Sequence, residues 1–474
     1  MSEQTQKPRG ACVQYGWISL LAGAGLFCVL TFGGVMDALA HPAGWRLGAL
    51  LALLMTGVLF LCAHAAKGRG GRFAAMALLS LAALAARIAV FDVVTSDYIS
   101  FLTKWVDVFR EGGFQMLASV IGDYNLPYQY ILALIAQSSI HDLYLIKFVS
   151  IIFDYALALM MYHVTERFID TRFSLPVCAA VRFLPTVLLN GACWAQCDAL
   201  YVFFVVASLY LMLCDRPVWS VVSMAIAFSF KLQTIFFFPR ALFGLLHRKY
   251  KLRHALVVPL TYLCTLIPAL ALGRSLSSAL MVYVKQSMGQ YYDALTYNAG
   301  NFYQFFPSLS LGGNSGYRSY ILMNSGPIQA IEAYLNREHM ANLQMAALIF
   351  CVIVVLAVVA YLIAHRKELD FSQVWGVALF SALFIPFVMP KMHDRYFFMA
   401  DMFALLYAAR HPRRWWIPVC VTASSFICYA AFLMRQWTIP LQVAALLNLA
   451  AIIGVAKDVF TDMRAHALWE EAKD

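Results

Sequence analysis

Residues 349–363 read IFCVIVVLAVVAYLI, an unbroken apolar run from Ile349 to Ile363 with no polar side at helical spacing. A helix that is apolar all the way round belongs in lipid or in the middle of a bundle, because a helix on the surface of a water-soluble protein needs one polar face. Tyr201 to Leu213 repeats the pattern. Hydrophobic residues make up 62% of the 474 and charged residues 13%, and the mean hydropathy is +0.71. That composition excludes an ordinary soluble domain. Apolar runs recur at the roughly 17 to 25 residues that cross a bilayer. Spans are predicted near 17–39, 47–65, 73–92, 143–163, 174–190, 198–214, 217–230, 234–246, 255–271, 341–364, 371–388, 396–409, 415–433 and 438–456. The expected fold is therefore all-α: a polytopic membrane protein of about 14 transmembrane helices, read as one integral membrane domain over 1–474 with no internal repeat and no appended soluble domain. The first run, Trp17 to Gly34, is long for a cleaved signal.

The formal charge of +10 would suggest nucleic acid in a soluble protein, but in a membrane protein the placement of charge matters more than its sum. With both termini inside, the clusters Lys67/Arg69/Arg72, Arg248/Lys249/Lys251/Arg253 and Arg410/Arg413/Arg414 fall in inner segments, as the positive-inside rule requires. The parity holds only if 126–136 dips in and returns or lies in the interface. Asp97, Asp123, Gln196, Asp198, Lys231, Gln233, His393 and Arg395 then share the outer face.

Two outer loops are long enough to build a site. The first, 91–125, carries Ser96-Asp97-Tyr98, and then Tyr98, Phe101, Leu102, Trp105 and Phe109 on one helical stripe opposite Lys104, Asp107 and Arg110. That pattern predicts an amphipathic helix lying in the interface. The second, 273–340, has an aromatic segment around Tyr291 to Phe306 and then a Gly/Ser/Asn-rich stretch, the composition of a lid or binding loop. Between two apolar stretches sits Pro390-Lys391-Met392-His393-Asp394-Arg395-Tyr396. Charge is costly near hydrocarbon, and an arginine fork beside a histidine suits the anionic head of a lipid-linked substrate. The sequence has no HExxH or CxxC, no Walker A loop, no GxGxxG turn and no DxD pair, so neither structural zinc nor a metal-bound nucleotide sugar is indicated. Cys193 and Cys197 flank an outer motif, and a disulfide between them is left open.

Bland alternatives accompany these readings. Asp97 is well placed to cap the helix after it, Arg395 to snorkel toward headgroups, and Gln196 and Asp198 to form a polar outer turn. Asp154 and Arg182 fall near the middle of consecutive spans, so an interhelical ion pair between them is expected, while Arg87 could face the pocket of Asp97.

Asp97, then Asp123-Tyr124-x-x-Pro127-Tyr128, Trp194-Ala195-Gln196-Cys197-Asp198-Ala199-Leu200-Tyr201, Phe230-Lys231-Leu232-Gln233 and His393-Asp394-Arg395-Tyr396, in this order, resemble the GT-C superfamily. Within it the likeness is to bacterial relatives of the mannosyl- and glucosyltransferases that assemble GPI anchors and N-glycan precursors. Two departures stand out: His-Glu-Lys/Arg is frequent where this chain has His393-Asp394-Arg395, and three spans precede the first large loop where many relatives have one. The resemblance implies an inverting hexosyltransferase, with mannose the first sugar to consider, that uses a polyprenyl-phosphate-sugar donor and a lipid-linked or extracytoplasmic glycan acceptor at the outer face of a bacterial plasma membrane. It implies Asp97 as the catalytic base, Arg395, His393 and Lys231 as holders of the donor phosphate, and Asp123, Tyr124, Gln196, Asp198 and Gln233 as substrate-positioning residues. No cofactor is required by this reading, and a divalent metal is left open. The competing class is a transporter or lipid flippase, which would show paired repeats with binding elements near the midplane. Cysteine reporters in a cysteine-free variant should label from outside at positions 120, 290 and 392, and only after permeabilisation at 68, 250 and 412. Outside labelling at 250 overturns the arrangement.

Overall fold

The computed structural model describes residues 9–36, 44–288, 294–306, 310–311, 337–434 and 439–471. Tyr291, Tyr292 and the Gly/Ser/Asn-rich stretch of the second outer loop lie outside the described residues. The chain is an all-α multi-pass membrane protein. Among the described residues, nine helices are long and apolar enough to cross a bilayer, and a tenth span forms if the bent pair Thr171–Phe183 and Pro185–Cys193 counts as one. The helices are α1 (Arg9–Phe32), α2 (Gly44–Ala66), α3 (Gly70–Ile88), α4 (Thr103–Gly112), α5 (Leu126–Ala136), α6 (Asp142–Phe168), α7 (Thr171–Phe183), α8 (Asp198–Leu213), α9 (Pro217–Phe230), α10 (Phe238–Leu246), α11 (Val257–Ala271), α12 (Arg337–Ala364), α13 (Val374–Val388), α14 (Phe398–Arg410), α15 (Trp416–Leu433) and α16 (Leu441–Glu471). Several expected spans are shorter as helices. α8, with 16 residues, rises about 24 Å against the roughly 30 Å of a hydrocarbon layer. α5 is an 11-residue helix, too short for a straight crossing.

The chain forms two compact units, one of residues 1–122 and 128–203, the other of 123–127 and 204–474. In the first, α1 and α3 pack on α2, and α6 packs on α7. At one end of these helices Lys67 and Arg72 share Glu166, each at 3.0 Å. In the second, α13 packs against α14, α16 and α10, and α15 against α14 and α16. Three two-residue strands, β1 (Thr296–Tyr297), β2 (Ser310–Leu311) and β3 (Met392–His393), form a small parallel sheet in the order β2-β1-β3, with Tyr297 opposite His393.

The expected ion pair has a different partner. Arg87, not Arg182, bonds Asp154, Nε to Oδ2 at 2.9 Å, with both side chains 1% exposed. Arg87 is thus taken up in the helix packing. Leu184-Pro185 breaks α7, since proline has no N–H to continue the ladder. The carbonyl of Arg182 is left to accept from Arg87 Nη1 at 3.0 Å, while the Arg182 side chain donates to the Met76 carbonyl at 3.2 Å. The interfacial stripe also differs. Tyr98–Leu102 is a π turn, wider than α-helix, and it moves Phe101 out to 47% exposure while Tyr98, Leu102, Val106 and Phe109 face inward. Cys193 and Cys197 are separate buried thiols.

Breaking a buried pair strands a charge in a low-dielectric site, at a cost of about 3 to 5 kcal/mol. Arg87→Met or Asp154→Leu alone should therefore lower the thermal midpoint of the detergent-extracted protein sharply, and the double substitution should recover much of the loss. Arg182→Met should leave the effect of Asp154→Leu unchanged if Arg87 is its partner.

Candidate active site

The first unit builds its polar centre from one face of α6. Tyr144, Lys147, Ser150 and Asp154 recur at helical spacing along a membrane span, and each meets a polar group on another element. Lys147 Nζ reaches the carbonyls of Phe91 at 2.6 Å, Val93 at 2.8 Å and Val90 at 3.4 Å. These lie just past the end of α3, where helix carbonyls lack intrahelical partners. Tyr144 donates to Asp92 at 2.6 Å, and Ser150 donates to the Gln196 carbonyl at 2.6 Å. Tyr98 donates to Asp142 at 3.0 Å, its hydroxyl pushed up to about 12 by burial first and by Asp142 among its neighbours. α6 thereby anchors both the segment that carries Asp97 and the loop before α8. Thr95 ties those two together through the Trp194 carbonyl at 3.3 Å.

That loop is a π turn, Leu189–Cys193, followed by Ala195 in the left-handed region with φ 64°. An L-residue with a side chain adopts this conformation at about 1 to 2 kcal/mol. The return is visible on either side of it: Trp194 Nε1 and Gln196 Nε2 both donate to Oδ2 of Asp97, each at 3.0 Å. Asn190 closes the loop by donating to Asp198 Oδ2 at 2.7 Å and accepting from the Asp198 amide at 3.2 Å. Asp97 is half-buried, and its side chain makes no capping bond to the helix that follows. The cap reading fails, and the carboxylate is instead held from two sides.

The second unit gathers the cations. Lys231 ends α9 and lies 5.6 Å from the Tyr124 ring centroid. His393, on β3, stacks on Tyr297 at 4.9 Å and 16°, and Tyr396 is 5.3 Å away. Burial first, then the charges of Arg395 and Lys231, pushes the His393 imidazole down to about 3. It is therefore neutral at physiological pH and offers one ring N–H. Arg395 lies 3.7 Å from Asp394. The structure thus brings Tyr124, Lys231, His393 and Arg395 into one neighbourhood. Gln233 is buried on the turn Leu232–Phe237, its Oε1 without a hydrogen-bond partner among the described residues, and Asp123 is exposed. Among the described residues no group of three or more His, Cys, Asp or Glu could hold a metal ion.

Four residues gain importance that sequence reasoning did not give them. Trp194 lies in the motif Trp194 to Tyr201, where nothing in the sequence marks its indole N–H as a donor. Lys147 carried a usable signal, a lysine inside a span with Ser150 and Asp154 on the same face. Asn190 and Tyr297 carried none, because their roles follow from a loop closure and from a pairing 96 residues apart.

A scan against protein-family models matches residues 131–386 to Glycosyltransferase family 87. No curated protein matches the chain. The matched stretch contains Gln196, Asp198, Lys231 and Gln233 and stops short of Asp97 on one side and His393 on the other. It covers more than half of a chain already seen to be a multi-pass helical membrane protein, and on that ground the chain belongs to glycosyltransferase family 87.

Proposed function

We propose that this membrane glycosyltransferase transfers a hexose, mannose first among candidates, from a polyprenyl-phosphate-sugar donor to a lipid-linked or extracytoplasmic glycan acceptor, with inversion. The observation that carries the donor assignment is that the charges of Lys231 and Arg395 both act on a half-buried His393 and favour its neutral form. A nucleotide-sugar enzyme would need a pocket for base and ribose. A lipid-phosphate leaving group needs cations and donors at the end of membrane helices. Arg395 offers the two-pronged fork, Lys231 a point charge and His393 an uncharged donor.

Asp97 is the base. In the step it catalyses, the acceptor hydroxyl gives its proton to the carboxylate as its oxygen bonds to the anomeric carbon on the face opposite the phosphate. The bond from that carbon to the phosphate oxygen breaks, and its electron pair leaves with the phosphate. Trp194 and Gln196 hold the carboxylate in position through Oδ2, so little reorganisation is needed at the moment of transfer. Tyr124 and Gln233 are assigned to substrate positioning, with Asp123 as the exposed carboxylate of the same motif. Asp198 acts through Asn190 to shape the loop. The active face is extracytoplasmic, with both termini in the cytoplasm of a bacterial cell, as the distribution of basic residues favours.

Purified protein presented with a panel of polyprenyl-phosphate hexoses and scored for donor-dependent transfer or hydrolysis tests the reading, and turnover of none of them sinks it. Asp97→Asn keeps the shape and removes the proton acceptor. Turnover should drop by at least the roughly 10² to 10⁴ of general-base catalysis while donor affinity changes little. Near-parental turnover in a folded Asp97→Asn protein would dismiss Asp97.

Arg395→Ala should cost about 2 to 5 kcal/mol in donor or transition-state binding, and Arg395→Lys should recover only part of it, since lysine keeps the charge without the fork. A headgroup-seeking arginine behaves otherwise: lysine would replace it fully, and alanine would lower yield more than turnover.

A further inference from the structure

Lysine is a point charge on a flexible stem, so its aim has to come from its neighbours, whereas an arginine brings its own planar fork. The surroundings of Lys231 supply that aim. α9 stops at Phe230, and Lys231 takes the extended backbone that follows, its amide closing on the Ala227 carbonyl at 3.0 Å. Carbonyls in the last turn of a helix have no partner inside it. That of Phe228 accepts from the hydroxyl of Tyr283, on the short helix Val282–Met288, and the two rings meet edge to face at 5.2 Å.

Tyr262, buried on α11, touches both sides of this arrangement. Its ring lies 5.6 Å from the ring of Phe228, in the last turn before Lys231. Its hydroxyl accepts from Asn125 Nδ2 at 3.1 Å. Asn125 is fully buried, and its Oδ1 takes the Leu126 amide at 2.9 Å, so both ends of its side chain are bonded at the start of α5. An asparagine held at both ends fixes the backbone beside it. The residue before it is Tyr124, whose ring centroid stands 5.6 Å from Lys231 Nζ, the separation at which a ring's quadrupole attracts a cation. One side chain thus locates the end of α9 through its ring and the Tyr124 segment through its hydroxyl.

We infer that Tyr262 is a positioning residue for the donor phosphate: it sets the Tyr124 ring against Lys231 and so aims the ammonium, without touching the substrate itself. This rests on the polyprenyl-phosphate reading and adds to it the residue that orients one of its two cations.

The test is a cycle of substitutions, measured with the hexose donor that the parent uses best. Tyr262→Phe keeps the ring on Phe228 and removes the bond to Asn125. Donor KM should rise about three- to tenfold, the worth of one hydrogen bond, with kcat near the parent's, since what is lost is binding common to ground and transition states. Asn125→Ser removes the other partner, keeps an oxygen for the Leu126 amide, and should raise KM to the same extent. Tyr124→Leu removes the ring through which both act. Combined with Tyr262→Phe it should raise KM no further than it does alone, because the two changes reach the same cation. A tyrosine that only stabilises the fold behaves otherwise. If the KM effects of Tyr124→Leu and Tyr262→Phe multiply, or if folded Tyr262→Phe and Asn125→Ser keep the parental KM, the inference is overturned while the donor reading survives. A parent that turns over none of the polyprenyl-phosphate hexoses overturns both.

Discussion

Hydrocarbon offers no hydrogen bonds, so a polar side chain on a membrane helix must find its partner in the protein. α6 carries four such side chains on one face, and that constraint organises the first unit. Lys147 holds the carbonyls after α3, Ser150 holds the loop before α8, and Asp154 draws in Arg87. Tyr144 reaches Asp92. None of these contacts touches a substrate in the proposed reaction. Together they fix the two segments whose meeting places Trp194 and Gln196 on Asp97.

In the second unit the same problem is met by main-chain pairing. The Lys391 amide donates to the Leu295 carbonyl at 2.7 Å, and the Tyr303 side-chain hydroxyl adds a bond to the Val388 carbonyl at the end of α13 at 2.8 Å. Lys391 itself takes a left-handed φ of 61°, a local strain that this pairing supports. His393 is held flat against Tyr297, and burial together with the charges of Arg395 and Lys231 favours its uncharged form.

The apolar runs made the membrane fold legible, since their length and lack of a polar side have one physical outlet. Charge placement made the motif residues legible as a group. Pairings were harder. Composition shows that Asp154 needs a partner but not which arginine: Arg87 reaches both Asp154 and the Arg182 carbonyl, while the Arg182 side chain turns to the Met76 carbonyl. The stripe through Phe101 assumed an α-helical period, and the π turn at Tyr98–Leu102 shifted it. The bond from Trp194 to Asp97 is not legible in the sequence, because an indole in an apolar protein has many other uses. The turn at 298–304 lies in a segment whose sequence resembles any loop, and the Asn448 side chain on α16, donating to the Gly300 carbonyl, shows how it is held.

The two polar centres differ in how much chain must exist before they can close. The two side chains that donate to Asp97, Trp194 and Gln196, are in place once the chain reaches Asp198. The environment of His393 needs α9, the Tyr297 segment and β3, with Asn448 on α16 clamping the turn beside it last of all. During synthesis on a membrane-bound ribosome, these contacts can therefore form while α9 to α16 are still unmade. The cation centre has to wait for β3, and the turn beside it for α16, so a chain stopped after α8 would hold the Asp97 carboxylate without Lys231, His393 and Arg395.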